Sequence, residues 1–313
     1  MVKDIIVIKN LEKKFGDFTA VEKMNLTVHE GEILGFLGPN GAGKTTTISM
    51  LTTLIQPTAG TAIIAGHDLL QDGVKVRGII GVVPQSFSLF PELTAEENMT
   101  YIGKLYGLSP GAIRERAHYL LRQVLLFDHR ARIAGIFSGG MKQRLSLAAS
   151  LMSNPKILFM DEPTTGLDPQ TRLAIRELTK EFNEKGMTII YTTHDMDEAE
   201  KICDRIVIMD KGKIIGNGTS EELKQRVIKG YHLEVEVESA PSGIAKDLRK
   251  LPSVSDVTIM GDVIHITVDR KDAMFNRVNH LLHQKKVNVQ EIRYKEPTLE
   301  EVFISLTKKE LRD

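Results

Sequence analysis

The run Gly38-Pro39-Asn40-Gly41-Ala42-Gly43-Lys44-Thr45-Thr46 restricts what this chain can become more than any other stretch. It satisfies the pattern G-x-x-x-x-G-K-[ST]. Before it, Ile33-Leu34-Gly35-Phe36-Leu37 has the unbroken apolar character of a strand buried on both faces. After it, Ile48, Leu51, Leu54 and Ile55 recur at three- and four-residue spacing and predict a helix over 45–54. A strand that turns through glycines into a helix aims several backbone N–H groups at one spot, together with the positive end of the helix dipole. A polyphosphate suits that spot. Lys44 would reach its β- and γ-phosphates, and the Thr45 hydroxyl would bind Mg²⁺.

A chain of 313 residues has room for two domains. Its 41 Lys and Arg are balanced by 41 Asp and Glu. Dividing it at Gly230 uncovers no hidden excess, since the later part has 13 basic against 14 acidic residues. A broad basic surface for nucleic acid or anionic lipid is therefore not expected. Cys203, the single cysteine, rules out an intrachain disulfide or a cysteine zinc cluster, and its apolar neighbours make it a small buried hydrophobe. The apolar run in residues 1–9 is too short for a signal peptide. No run approaches the roughly 18 apolar residues of a membrane span, so a cytoplasmic chain that does not itself cross a bilayer is expected.

Strands are predicted at 4–9, 21–28, 61–65 and 78–83. Helical patterns at 94–106, 111–127 and 139–153 then follow with no strand between them, punctuated by Pro91, Gly107, Pro110 and Ser138-Gly139-Gly140. Strand and helix alternate again over 157–160, 170–185, 188–192, 195–202, 206–209 and 214–215. That is the pattern of a parallel sheet covered on both faces, with a helical subdomain inserted at about 86–154. A first domain over 1–229 and a second over 230–313 follow. Beyond Lys229-Gly230 the order is β-α-β-β-α-β with one helix added (helices 242–250, 271–285 and 298–308), a split βαβ unit. It has no glycine-rich loop or acidic cluster, and reads as a packing or regulatory module.

Ile157-Leu158-Phe159-Met160-Asp161-Glu162 is an apolar strand running into two carboxylates. Beside a phosphate loop, Asp161 would hold Mg²⁺ directly or through water, and Glu162 could polarise an attacking water. Phe15 has two readings, an exposed ring that stacks on a base or a plug between strands. His280 and His283 share a helix face without a third ligand and read as a surface pair. Lys142 and Arg144 read as a solvated face or a pair near phosphate.

Three more pieces complete the set. Phe137-Ser138-Gly139-Gly140-Met141-Lys142-Gln143-Arg144 precedes the acidic strand, Thr165-Gly166-Leu167-Asp168 follows it, and His194 stands at the end of the next strand. With Gln85, these resemble the nucleotide-binding cassette of ABC transporters over roughly residues 3–228. The resemblance implies an α/β P-loop NTPase cassette followed by a ferredoxin-like α+β domain, an ATPase that uses ATP and Mg²⁺. It implies that Phe15 stacks on adenine and that Gly38, Asn40, Gly41, Ala42, Gly43, Lys44, Thr45 and Thr46 wrap the phosphates. Thr45, Gln85 and Asp161 serve the metal, Gln85 also contacting the attacking water and sensing the membrane partner. Glu162 is the base, and His194 holds the γ-phosphate and orients Glu162. Ser138 and Gly140 contact the ATP held by a second copy of the chain, and Asp168 links the two sites.

Phe137 and Met141 stand where the family usually has Leu and Gln, and Phe15 where Tyr is commoner. Phe-Ser-Gly-Gly-Met, with the ending Pro297-Thr298-Leu299-Glu300-Glu301-Val302-Phe303, resembles the ATP-binding subunits of ABC-2-type exporters, including daunorubicin-resistance-like ATPases. The partners implied are an integral permease and a second copy, with no nucleic acid. The chain would then sit on the inner face of the cell membrane through that permease, touching it in an apolar groove beside Gln85 for which Phe87, Leu89, Phe90 and Leu93 are candidates. A soluble ABC ATPase acting on nucleic acid or ribosomes is the alternative; paired cassettes, a coiled coil or a basic arm would mark it, and none is present. A silent scaffold that only dimerises on ATP would lack hydrolytic residues, and this chain has the full set.

Overall fold

The strand Ile33–Leu37, every residue of it buried, lies inside a six-stranded sheet. This is a computed structural model, and it describes residues 3–227, 231–241, 243–268, 274–295 and 298–310. Lys229, Gly230 and Pro297, and the predicted helix starts at 242 and 271–273, lie outside the described residues. The order across the sheet is Lys213–Gly218, Arg205–Asp210, Ile33–Leu37, Thr188–Thr193, Ile157–Asp161, Ile80–Val83. All neighbours are parallel except the first pair, an antiparallel hairpin. Parallel strands end together, so Leu37, Asp161 and Thr193 arrive at one edge, where ligands of such sheets bind.

One expectation needs correcting. The first two strands run much further than predicted, as Asp4–Phe15 and Phe18–His29, and do not join the parallel sheet. With Ala59–Ile64 and His67–Asp68 they form a separate antiparallel sheet. Bulges carry the first strand across its polar stretch, with Asn10 at φ 48°. Likewise, Gly78 and Ile79 end a helix, Gly73–Ile79, and the strand predicted from 78 begins at Ile80.

The helical subdomain is built from Ala95–Leu105, Pro110–Gln123 and Gly139–Ser150. Thr94 and Glu97 close a capping box on the first helix, and Ser109 followed by Pro110 starts the second. Met99, Ile113, Leu120, Leu121 and Leu145 share one core, which Phe137 also enters and against which Met141 packs. Arg144 is half-buried: its guanidinium donates to the Val124 carbonyl at 3.2 Å, closing the end of the Pro110–Gln123 helix.

The chain divides into two compact units, Met1–Thr219 and Ser220–Asp313. The division falls ahead of the 229/230 boundary expected from sequence, because the helix Ser220–Val227 packs with Leu299–Glu310. In the second unit the antiparallel order is Val254–Met260, Val263–Val268, Tyr231–Val237, Val289–Lys295. Leu233, Val235, Ile264 and Ile266 cluster with Ile244 and Leu248 of the helix Ile244–Leu248 and with Val278 and Leu282 of the helix Met274–Gln284. Period-two alternation thus gives this sheet one covered face. Among the described residues, no helix is long and apolar enough to cross a membrane.

Candidate functional site

Gly43 stands at the head of the helix Lys44–Leu51 with φ 102°, and no side chain caps the first turn. The leading amides of that helix therefore remain available to an anion. The glycines are sterically required. A Cβ on Gly38 would run into the Met209 carbonyl, and one on Gly43 would lie 2.5 Å from the Ala20 carbonyl. Ala20 belongs to the hairpin whose tip pairs Phe15 with Phe18, so the aromatic ring and the loop are on one side of the cassette. Phe15 is 52% exposed, with Lys13 Nζ 5.0 Å from its ring centre. An exposed ring is free to stack, and the plug reading is set aside.

Lys44 is folded inward. Its ammonium donates to the Gly38 carbonyl at 2.7 Å and the Pro39 carbonyl at 3.1 Å, and lies 3.2 Å from Glu162 Oε1. The next carboxylate, Asp161, accepts from Thr45 Oγ1 at 3.2 Å and from Thr192 Oγ1 at 2.6 Å. Glu162 has a left-handed backbone, φ 46°, held by Thr192, whose hydroxyl accepts from the Glu162 amide at 2.9 Å. A glutamate pays for such a conformation only where surrounding contacts impose it.

Around the Glu162 carboxylate the predicted residues converge. His194 Nδ1 lies 3.2 Å from Oε2, Thr165 Oγ1 donates to the same oxygen at 3.2 Å, and Gln85 Nε2 does so at 3.4 Å. Burial pushes this carboxyl up, but the Lys44 ammonium and then His194 outweigh it and hold the group below the usual carboxylate range. It is therefore ionised at neutral pH.

Ser138 and Gly140 are elsewhere. Ser138 caps its own helix, accepting from the Met141 amide at 3.2 Å. A Cβ on Gly140 would lie 2.7 Å from Thr171 Oγ1, so this helix start abuts the segment following Asp168 rather than the phosphate loop. Among the described residues no hydrogen bond joins Ser138 or Gly140 to residues 38–46. Asp168 is exposed and caps the helix Pro169–Glu184, accepting from the Thr171 amide at 3.0 Å and from its hydroxyl at 2.7 Å. Those two bonds hold its carboxyl below the ordinary range.

Thr192 was not singled out by sequence, and Thr165 entered only as part of the run ending at Asp168, with no role of its own. Thr192 pairs with Asp161 across two parallel strands, a register visible only once their adjacency is known. Thr45 and Asp161 bring a hydroxyl and a carboxylate oxygen together, hard donors of the kind Mg²⁺ prefers, while the Gln85 amide lies against Glu162. His280 and His283 are both exposed, and His280 contacts Gln284 at 2.9 Å. Burial raises the Cys203 thiol well above its ordinary range, in keeping with its packing beneath Gly35. Of the groove candidates, Phe87 and Phe90 are exposed, Leu93 is half-buried, and Leu89 packs onto the helical core.

A phosphate-loop nucleoside triphosphatase whose second glycine-led helix start is turned away from its own loop is the class that this fold and site define. The comparisons agree. The family model for the ABC transporter matches residues 21–165, and that for the ATP-binding protein DrrA1-3-like C-terminal domain matches 218–307. The linearmycin resistance ATP-binding protein LnrL of Bacillus subtilis is 39% identical over 309 residues, covering 97% of this chain and 99% of its own. The daunorubicin resistance ATP-binding protein DrrA3 of Streptomyces coeruleorubidus is 36% identical over 308 residues, covering 98% and 97%. Among solved structures, a dimeric ATP-binding cassette in a post-hydrolysis state bound to ADP and Pi superposes with TM-score 0.63 at 32% identity, covering 68% of this chain and 98% of that one. The chain belongs to the ATP-binding subunits of ABC transporters, in the ABC-2 exporter group with a DrrA-like C-terminal domain, and it is an ATPase. Subunits of this family bind nucleotide, and the nucleic-acid alternative is not favoured.

Proposed function

We propose that two copies of this ATPase close face to face around two Mg·ATP and so drive a separate permease that exports a drug-like compound. The observation that carries the reading is the division of labour within one chain. Lys44, Asp161, Glu162 and His194 meet at the edge of the sheet, while Ser138 and Gly140 face away and need a second copy's phosphate to act upon.

Phosphate oxygens compete with Gly38, Pro39 and Glu162 for the Lys44 ammonium, which a polyphosphate draws toward itself. Thr45 and Asp161 would hold magnesium, and Gln85, whose amide nitrogen meets Glu162, would add an oxygen donor. Such an ion would supply positive charge to offset that of the phosphates. Glu162, ionised and fixed by Thr192, accepts a proton from the attacking water. His194 presents Nδ1 to Glu162 and leaves its other nitrogen for the γ-phosphate. Resistance proteins among the relatives, to linearmycin and daunorubicin, support export of such compounds.

A groove of about 660 Å³, lined by Leu54, Val74, Ile102, Leu105 and Tyr106 with Pro84 and Ser88 from either side of Gln85, suits a cytoplasmic helix of the permease. Phe87, Leu89, Phe90 and Leu93, the candidates read from sequence, are not among its lining residues. The test is Glu162→Gln with Mg·ATP in solution scattering. A dimer is expected, and single copies with ATP bound would overturn the reading. Leu105→Glu should abolish co-purification with an integral membrane protein; retained co-purification would remove the groove from it.

A further inference from the structure

Glu198 is a carboxylate only 2% exposed, on the helix Met196–Ile202, and none of the motifs accounts for it. Burying such a group is costly unless every oxygen is met by a donor. Here both are met. Oε1 accepts from Thr164 Oγ1 at 2.6 Å, and Oε2 accepts from Thr193 Oγ1 at 2.8 Å. Thr193 Oγ1 accepts in turn from the Asp195 amide at 3.0 Å, and Asp195 Oδ1 accepts from the Glu198 amide at 3.0 Å. The two threonines are placed tellingly. Thr164 lies just beyond Glu162, and Thr193 immediately precedes His194.

The His194 ring is itself half exposed, and its Nδ1 meets Glu162. Its place must come from the backbone on which it stands. We propose that Glu198 is a positioning residue that clamps the loop after Glu162 to the loop bearing His194, and thereby sets the 3.2 Å contact between Glu162 Oε2 and His194 Nδ1. This rests on the reading of Glu162 and His194 as reaction partners. Displacing one of a reacting pair by about 1 Å costs on the order of 10²-fold in rate.

The experiment uses the full-length chain and compares Glu198→Ala, Glu198→Gln, Thr164→Val and His194→Ala, with the double variant of Glu198→Ala and His194→Ala. Glu198→Ala should lower kcat about 10- to 100-fold with ATP affinity unchanged, and Glu198→Gln should be intermediate because it keeps the length and one acceptor. In the His194→Ala background, Glu198→Ala should cost nothing further, since the contact it sets is already gone. A merely structural role would multiply the two losses or lower affinity in step, and either result overturns the proposal. Should Glu198→Ala fail to fold, Thr164→Val removes a single hydroxyl from the clamp and carries the same expectations. Wild-type turnover in Thr164→Val and Glu198→Gln alongside a slow His194→Ala overturns this proposal alone. Wild-type turnover in His194→Ala overturns the site reading and this proposal with it.

Discussion

Lys44 and Glu162 form a buried ion pair, Nζ to Oε1 3.2 Å, with their side chains 4% and 6% exposed. The candidate phosphate-binding cation and the candidate base are thus each other's partners, and neither can be changed without affecting the other.

Glu162→Gln keeps the shape of the site but removes its charge. Turnover is expected to fall about 10²-fold or more, the scale of a lost general base, while ATP still binds. Steady-state phosphate release beside equilibrium nucleotide binding checks it, and near-normal hydrolysis would take Glu162 out of that role.

The same residue predicts a pH dependence. Its folded pKa lies below the ordinary 4.5, so its contribution to stability is full above that value and lost as the pH falls through the folded value. Urea unfolding between about pH 5 and pH 3 should show a decline that Glu162→Gln lacks in part. Identical slopes in the two proteins would count against the ion pair.

Lys44→Ala should weaken ATP binding about 10- to 100-fold, the worth of charge-assisted hydrogen bonds. Calorimetric titration measures this directly. Unchanged affinity would contradict the role of the loop.

Thr192→Val removes the hydroxyl that donates to Asp161 and accepts from the Glu162 amide. Losing a partner that orients a metal ligand costs about 10- to 100-fold in metal affinity or activity. The Mg²⁺ concentration for half-maximal ATPase should rise accordingly, and an unshifted curve would refute it.

Gly140→Ala places a methyl against Thr171. ATP binding to the single chain should be untouched while turnover falls, because only the surface proposed to meet a second copy is disturbed. Adding Thr171→Ala should restore part of the rate. If it does not, the steric account fails.

Legibility differed by residue. The phosphate loop, the strand ending in Asp161-Glu162 and the start of the Ser138 helix could be read directly, since each needs a particular residue type at a fixed spacing. The βαβ order of the second unit was equally readable, from the alternation of Leu233, Val235 and Val237 with three glutamates. Partition between sheets was not, because Ile5–Ile8 and Ala62–Ile64 look the same whether their partner is parallel or antiparallel. Gly78 and Ile79 misled for a similar reason: a short apolar run fits the last turn of a helix as well as the first residues of a strand. The threonines around Glu162 and the clamp at Glu198 depend on register between distant strands, which no local pattern contains.

Phe15 stands at the tip of a hairpin that belongs to a different sheet from the one carrying Lys44 and Glu162. A phenyl face offers no hydrogen bond, and every base has a face to lay on it. Fuel choice should therefore be loose: GTP ought to be split at a rate comparable to ATP, whereas a molecule lacking the terminal phosphate gains nothing from the rest of the machine.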